Sequence, residues 1–352
     1  MKLTFRWYGS KDSIPLSYIR QIPNMSGVVT SVYDVKAGDL WPEESVKKLK
    51  ELCDENGLEM EVIESIPVVE DIKLGKDTRD KYIDIYAKNI RTVAKYGVKC
   101  VCYNFMPVFD WIRTDLQEKN SDGSFSLSYS AKELEKLDPK NLHLPGWDES
   151  YSVKELNSIL EEYNGFTHEK LFDNLVYFLN RLLPTLNDTG VNMAIHPDDP
   201  PWDVFGLPRV VSTEEDLDRL FKAVSSLHNG LTLCVGSLGE KCKNDVVRMA
   251  EKYSRQGRIH FAHLRNIRYL DDQGSFIESG HETSMGSLDM ASIVQALTKN
   301  GFTGYVRPDH GRNIFDEKGK PGYGLFDRAL GCTYINGLFE MAEKNLKEEH
   351  KI

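Results

Sequence analysis

The chain is short of positive charge and of long apolar runs, and each shortage argues against a class of protein. Its 44 Lys and Arg residues stand against 54 Asp and Glu residues, so the formal net charge is -10. Nucleic-acid binding needs clustered positive charge, and we therefore expect no nucleic-acid partner. No apolar run approaches the roughly 18 residues of a membrane span, so we expect no membrane insertion. The first residues also lack the apolar stretch of a secretion signal.

The cysteines are too few and too scattered for a disulfide framework, and none forms a CxxC metal-binding pair. They occupy six of the 352 positions, namely 53, 100, 102, 234, 242 and 332. Separate thiols of this kind are typical of a reducing compartment, so we expect a cytoplasmic protein. The composition is 40% hydrophobic and 28% charged, which is that of a globular chain able to bury a large core.

Eight short runs rich in β-branched and aromatic residues alternate with helical segments, which predicts a parallel sheet. The runs are residues 4–8, 28–32, 59–65, 99–105, 192–196, 231–235, 259–265 and 305–309. Two examples of the helices are one from Trp41 to Gly57 and one from Ser212 toward Gly230. Eight such units predict a single domain over residues 1–352, a closed (β/α)8 TIM barrel. An open doubly wound sheet is the alternative, but no GxGxxG follows the first run.

One connection is much longer than a single returning helix requires. Residues 107–166 follow the fourth run and contain two turn-forming segments, Asn120 to Ser124 and Leu144 to Trp147. An insertion after a barrel strand lies at the carboxyl end of the barrel, where barrel enzymes have their active sites. We therefore predict that residues 107–166 form a lid over the site or an arm that contacts another subunit.

Four consecutive runs end in side chains that can bind a metal. Residues alternate along a strand between the barrel axis and the outer helices, so parity predicts which side chains point inward. The inward-pointing residues at the carboxyl ends are His196, Cys234, His263 and Asp309. Any one of them alone is usually a buried structural residue. Together, two imidazoles, a thiolate and a carboxylate can hold a divalent transition metal and leave positions open for substrate oxygens.

Three arginines lie at the same end of the predicted barrel. Arg265, Arg268 and Arg307 fall at or just beyond the ends of the last two runs. A guanidinium can bind a substrate carboxylate through two hydrogen bonds, and we expect Arg265 and Arg307 to do so. Arginines at a barrel rim are also often structural, and the sequence leaves both roles open.

Four motifs spread over the whole chain carry a family resemblance. They are Phe5 to Gly9, His196 to Pro201, Arg307 to Arg312, and Pro321 to Gly331. These segments resemble the mannonate dehydratase family. The resemblance implies a metal-dependent barrel similar to xylose isomerases that dehydrates D-mannonate, a sugar acid, to 2-keto-3-deoxy-D-gluconate in hexuronate catabolism. It further implies Mn2+ or Fe2+ as the metal, held by the same four residues that strand parity selects.

The resemblance also implies a pair of residues that transfer protons, His310 and Tyr323. Removing water across carbons 2 and 3 requires taking a proton next to a carboxylate, and a bound cation would stabilise the developing enediolate. The departing 3-hydroxyl needs a proton, so the site must hold an acid and a base. We expect Tyr323 to be the base and His310 the acid. Without the resemblance, a packing Tyr and a helix-capping His would be the simpler interpretation.

Two other functions stay open at this point. A metal-dependent sugar isomerase or epimerase could use the same barrel, although such enzymes usually have a carboxylate-dominated ligand set rather than one that contains Cys234. A non-catalytic protein that binds sugar acids would need neither a proton-transfer pair nor a lid. We also expect a homo-oligomer, a dimer or larger, whose subunit number the sequence does not set.

Overall fold

The structure is a computed structural model that describes residues 1–139 and 152–349. Its strands are β1 (Lys2–Arg6), β2 (Met25–Thr30), β3 (Glu59–Glu64), β4 (Cys100–Tyr103), β5 (Asp115–Lys119), β6 (Phe125–Tyr129), β7 (Asn192–Ile195), β8 (Asn229–Cys234), β9 (Ile259–His263), β10 (Ile267–Tyr269), β11 (Phe276–Glu278) and β12 (Tyr305–Arg307). Its α-helices are α1 (Leu16–Ile19), α2 (Glu43–Glu55), α3 (Glu70–Leu74), α4 (Arg79–Lys95), α5 (Ala131–Leu134), α6 (Val153–Glu162), α7 (His168–Thr189), α8 (Glu214–Ala223), α9 (Val235–Glu240), α10 (Val246–Arg255), α11 (Met290–Lys299) and α12 (Phe326–Glu349). Within the described ranges, no helix has both the length and the apolar character needed to cross a membrane.

Eight parallel strands close into a barrel in the order β1-β12-β9-β8-β7-β4-β3-β2. At least one helix separates each barrel strand from the next along the chain, which is what allows neighbouring strands to run in the same direction. The predicted TIM barrel is therefore confirmed, and all eight predicted runs contribute a strand to it. Since the strands are parallel, their carboxyl ends meet at one end of the barrel.

The interior of the barrel is filled by small and medium apolar side chains. These form a cluster of their own, each at most 2% exposed: Val29, Val62, Cys100, Cys102, Ala194 and Phe261. His196 lies two residues after Ala194, and His263 lies two residues after Phe261. Because side chains two apart on a strand share a face, both histidines point toward the axis, as parity predicts.

Several of the predicted element boundaries are wrong, and two of them show why. Helix α8 begins as expected, with the Thr213 side chain accepting a hydrogen bond from the Asp216 amide, but it ends at Ala223 rather than near Gly230. The Arg258 side chain holds the following turn by donating to the carbonyls of residues 225 and 226. Strand β8 ends at Cys234, one residue early, because α9 begins at Val235.

The long connection after β4 contains a hairpin that the sequence did not predict. Strands β5 and β6 pair around a turn in which Gly123 has a φ of 88°, a conformation that favours glycine. β6 also pairs with β11 from the connection after β9, giving an antiparallel sheet in the order β10-β11-β6-β5. The connection after β4 and the connection after β9 thus form one sheet at the carboxyl end of the barrel. The second predicted turn, Leu144 to Trp147, lies outside the described residues.

Candidate active site

The four residues predicted as metal ligands lie together at the carboxyl end of the barrel. The nitrogen, sulfur and oxygen atoms that His196, Cys234, His263 and Asp309 can offer all lie within 4.8 Å of one another. Cys234 Sγ is 3.6 Å from Asp309 Oδ2, and His263 Nδ1 is 3.9 Å from the same oxygen. Atoms that bind one ion at about 2.0–2.3 Å lie roughly 3 to 4.6 Å apart, so this spacing fits a divalent cation.

Strand register explains why these side chains lie at one depth. Cys234 and His263 are the last residues of adjacent strands, and they are paired in the sheet. His263 is also paired with Arg307, the last residue of β12, and Asp309 follows two residues later. His196 comes directly after β7. The cluster is therefore a direct consequence of four neighbouring parallel strands ending at the same level.

Contacts around the cluster orient its side chains. His196 Nδ1 donates to the Pro197 carbonyl over 2.7 Å, since a carbonyl can only accept, and this leaves Nε2 free as a ligand atom. Ser237 Oγ lies 3.0 Å from Cys234 Sγ. His263 Nε2 is 3.5 Å from Glu64 Oε2, whereas its other ring nitrogen faces Asp309. These contacts hold the four candidate ligand side chains facing one another.

Asp309 is surrounded by positive charge. Its Oδ1 is 2.8 Å from Arg307 Nη2, and its Oδ2 is 3.1 Å from Arg265 Nε. Burial alone would raise the pKa of the carboxyl, because it disfavours the charged form. Arg307, helped by the neighbouring His310, more than offsets burial and holds the pKa of Asp309 well below its usual range. The residue is therefore an anion, as a metal ligand must be.

A polar cavity of about 270 Å³ opens above the cluster. Arg6 and Arg307 line it, and each has two guanidinium nitrogens, Nε and Nη1, that are buried and find no hydrogen-bond acceptor among the described residues. Lys320 lines the same cavity, with its Nζ 4.2 Å from the centre of the Tyr8 ring. Free N–H groups of arginine in a cavity are suited to binding an anion such as a carboxylate.

His310 and Tyr323, the predicted proton-transfer pair, line this cavity and are in contact. His310 Nε2 is 2.9 Å from the Tyr323 hydroxyl oxygen and 3.9 Å from Asp309 Oδ1. Burial, reinforced by the negative charges that Tyr8 and Asp309 can carry, raises the pKa of Tyr323 well above its ordinary value. The phenol is therefore protonated at neutral pH and has a hydrogen that it can donate to the imidazole.

The two arginines predicted to bind substrate occupy different positions. Arg307 lines the cavity and donates to Glu64 over 3.0 Å. Arg265 is 1% exposed and lies outside the cavity lining, and it donates to Asp199, which lines the cavity, and to Glu240, which does not. Direct contact between Arg265 and substrate stays a prediction. Its observed contacts are those of a residue that holds other site residues in place.

Sequence reasoning missed two residues that contact this site. Arg6 ends β1, two residues after Thr4, and the parity argument that selected the four ligands would also have selected Arg6. Glu278 contacts His310 with both of its oxygens, but it ends β11, in a hairpin that no sequence signal predicted. The first residue could have been found from the sequence, and the second could not.

A closed parallel barrel with His, Cys, His and Asp side chains converging beneath a polar cavity at its carboxyl end defines a metal-dependent (β/α)8-barrel enzyme. Comparison with known families makes the assignment specific. The chain belongs to the D-mannonate dehydratase (UxuA) family, whose model matches residues 1–349. The family resemblance inferred from four motifs is confirmed.

Individual relatives agree with this assignment. A mannonate dehydratase of Thermotoga maritima is 49% identical over 359 residues, covering 99% of each chain. The crystal structure of mannonate dehydratase from Streptococcus suis serotype 2 superposes with a TM-score of 0.92 at 46% identity, covering 98% of this chain and 96% of that one. A xylose isomerase-like TIM barrel protein from Mycobacterium smegmatis, solved in complex with magnesium, gives a TM-score of 0.55 at 14% identity, with coverage of 93% and 88%. That last similarity shows the fold alone.

Proposed function

We propose that the cavity above His196, Cys234, His263 and Asp309 is the active site and that these four residues bind its metal, Mn2+ or Fe2+. The chain is a lyase that dehydrates D-mannonate to 2-keto-3-deoxy-D-gluconate in hexuronate catabolism, and it uses a divalent metal. The observation that carries the ligand assignment is the convergence of four donor atoms within 4.8 Å. A donor set of two nitrogens, one sulfur and one oxygen is of mixed softness, which suits a transition metal better than Mg2+.

The proposed chemistry divides between binding and proton transfer. A divalent cation at the cluster would stabilise the negative charge that develops beside the substrate carboxylate when carbon 2 loses its proton. The guanidinium N–H groups of Arg6 and Arg307 bind the acid group or neighbouring hydroxyls of the substrate. The cavity volume of about 270 Å³ lies just below the range of about 300–1,000 Å³ that is usual for ligand pockets, which suits a small substrate.

Tyr323 and His310 move the protons. The Tyr323 hydroxyl passes its proton to His310 Nε2, 2.9 Å away, and takes the proton from carbon 2. His310 then delivers the proton that it received to the departing 3-hydroxyl, which leaves as water. The two side chains return to their starting states, and the atoms balance: one C–H and one C–O bond break, a double bond forms, and the resulting enol becomes the 2-keto group.

The insertion over residues 107–166 is proposed to close the site or to contact another subunit. Its first part is tied to the barrel, because Arg113 is fully buried and donates to Asp199 over 2.6 Å. Trp111, from the same part, lies against His310 with ring centres 5.5 Å apart. A homo-oligomer and a cytoplasmic location also stay predictions.

Metal removal and replacement test this proposal. The protein is treated with a chelator, reloaded separately with Mn2+, Fe2+, Mg2+ or Zn2+, and assayed with a panel of hexonates and uronates for a 2-keto-3-deoxy product. We expect product from D-mannonate only, with Mn2+ or Fe2+ restoring most activity. Formation of an isomeric sugar without loss of water would instead support the isomerase or epimerase alternative. Full activity in the chelated protein would contradict the metal assignment.

A further inference from the structure

The His310 imidazole is held on the side opposite Tyr323 by a buried carboxylate. Glu278 is 2% exposed, and its Oε1 and Oε2 lie 2.7 and 2.8 Å from His310 Nδ1. A carboxylate can only accept hydrogen bonds, so Nδ1 must carry the hydrogen. In the neutral ring this leaves Nε2 as the acceptor for the Tyr323 hydroxyl. The tautomer with hydrogen on Nδ1 therefore satisfies both contacts, whereas the other tautomer would place two acceptors, Nδ1 and the carboxylate, against each other.

Two buried arginines keep Glu278 ionised and in place. Arg113 donates to Oε1 from Nε at 2.9 Å and from Nη2 at 2.7 Å, and Arg265 donates to the same oxygen over 3.2 Å. Burial by itself would raise the pKa of Glu278, but the charges of His310 and the two arginines lower the pKa to about 2. The carboxylate is thus available as an acceptor throughout the neutral range.

A second acidic side chain in the same network, Glu240, contacts the arginines but not His310. Glu240 is also fully buried, and its Oε1 accepts from Arg265 over 2.9 Å and from Arg113 over 3.4 Å. None of its described hydrogen bonds involves His310, and it does not line the cavity. Glu240 and Glu278 therefore share both arginines, but only Glu278 contacts the imidazole. Burial also raises the pKa of Glu240 well above its ordinary value, whereas the pKa of Glu278 is lowered.

We propose that Glu278 is a positioning residue that sets the tautomer and orientation of His310 for proton transfer with Tyr323. This rests on the proposed function of that pair. Among the described contacts, Glu278 touches none of the four proposed ligands and does not line the cavity, so its contact with His310 is its direct link to the proton-transfer pair. Arg113, which comes from the insertion after β4, couples that insertion to the chemistry by holding the Glu278 carboxylate.

Glu278→Gln is the first test. The amide keeps the shape of the side chain, but Arg113 holds its oxygen, so its NH2 group points at His310 Nδ1 and favours the opposite tautomer. We expect kcat for D-mannonate to fall by at least about 10²-fold, with KM and bound metal within about threefold of the wild type. Glu278→Asp, which keeps the carboxylate, should recover part of the lost kcat.

Glu240→Gln is the matched control. It changes the other acidic side chain that contacts the same two arginines and leaves the contacts of His310 unaltered, so we expect kcat within about threefold of the wild type. Equal losses in both variants would show that the network is only structural and would overturn the proposal. In a double-mutant cycle, Glu278→Gln should lower kcat little further when His310 is already replaced by Asn. An additive loss would also overturn it.

A spectroscopic measurement separates this inference from the proposed reaction. Nitrogen-15 NMR of the metal-free wild-type protein, with His310 assigned by comparison with His310→Asn, should show hydrogen on Nδ1 and none on Nε2. This result needs neither substrate nor a folded Glu278 variant. Hydrogen on Nε2 would overturn the positioning role even if the enzyme dehydrates mannonate. Hydrogen on Nδ1 in a protein without dehydratase activity would leave the positioning intact and contradict the proposed function instead.

Discussion

At the scale of single residues, the thiol of Cys234 is the ligand whose replacement is easiest to interpret. Cys234→Ser changes one atom, and a hydroxyl is a far poorer metal ligand than a thiolate. We expect most bound metal and activity to be lost while circular dichroism stays that of the wild type. Elemental analysis measures the metal. Cys242→Ser is the control, because Cys242 is exposed and outside the cluster, and metal content equal to the wild type in Cys234→Ser would refute the ligand assignment.

Tyr323 allows binding to be separated from chemistry. Tyr323→Phe removes only the hydroxyl that faces His310, so metal content and substrate binding should persist while turnover falls by roughly 10² to 10⁴-fold. Steady-state kinetics would detect this, and Tyr18→Phe, on an exposed tyrosine, should have no effect. Deuterium exchange at carbon 2 of unreacted mannonate then tests whether Tyr323 is the residue that removes the carbon 2 proton. Exchange that survives in Tyr323→Phe would mean that Tyr323 is not the base.

At the scale of elements, Arg113 lies just before the β5-β6 hairpin and connects it to the barrel through buried ion pairs. Arg113→Met would remove one of the two arginines that pair with the buried carboxylates of Asp199 and Glu278. Removing one partner of a buried ion pair typically costs about 3–5 kcal/mol, so we expect a loss of that size in the free energy of unfolding. Urea denaturation followed by circular dichroism provides the measurement.

The control for this change is an arginine in β10, the strand that pairs with β11. Arg268 in β10 is exposed, and Arg268→Met should alter the free energy of unfolding by no more than about 0.5 kcal/mol. If Arg113→Met is as stable as Arg268→Met, then the hairpin is held by its strand pairing with β11 alone. The coupling between the insertion and Glu278 would then have no energetic support.

At the scale of the whole molecule, the buried carboxylates make stability depend on acid pH. Glu278 has a pKa of about 2 in the folded protein against an ordinary value of 4.5, so its ionised form stabilises the fold. That contribution is complete above about pH 4.5 and disappears as the pH falls toward 2, and it is on the order of 3 kcal/mol. The free energy of unfolding should therefore fall over this window, and it should fall less steeply in Glu278→Gln. If the free energies of unfolding of the two proteins fall in parallel as the pH falls, Glu278 is not the origin of the pH dependence.

Metal binding should also be visible in the stability of the whole molecule. A ligand that binds only the folded state stabilises it by mass action, by about 2.7 kcal/mol at a free concentration 100 times its dissociation constant. We expect Mn2+ and Fe2+ to raise the melting temperature of the chelated wild type, measured by scanning calorimetry under anaerobic conditions for Fe2+. Cys234→Ser should show little of this shift. An equal shift in both proteins would place the stabilising metal elsewhere.

Much of this protein was determined by its sequence alone, because the signals that mattered are local. Alternating apolar runs and helix boundaries predict eight βα units, and parallel strands joined through helices must end at the same face of the barrel. Parity along each strand then selects the inward side chains. For this reason His196, Cys234, His263 and Asp309 could be grouped from sequence, and Arg6 could have been added by the same argument.

Only the tertiary structure decided which residues surround that group. Glu278 reaches His310 from a hairpin that forms by pairing with β6, a strand about 150 residues earlier in the chain. Arg113 meets Glu278 across 165 positions, and Arg265 lies beneath the cavity rather than in its lining. Such contacts depend on the register of distant strands and on the packing of connections. Periodicity within one strand or helix carries no information about either, so these positions could be known only once the chain was folded.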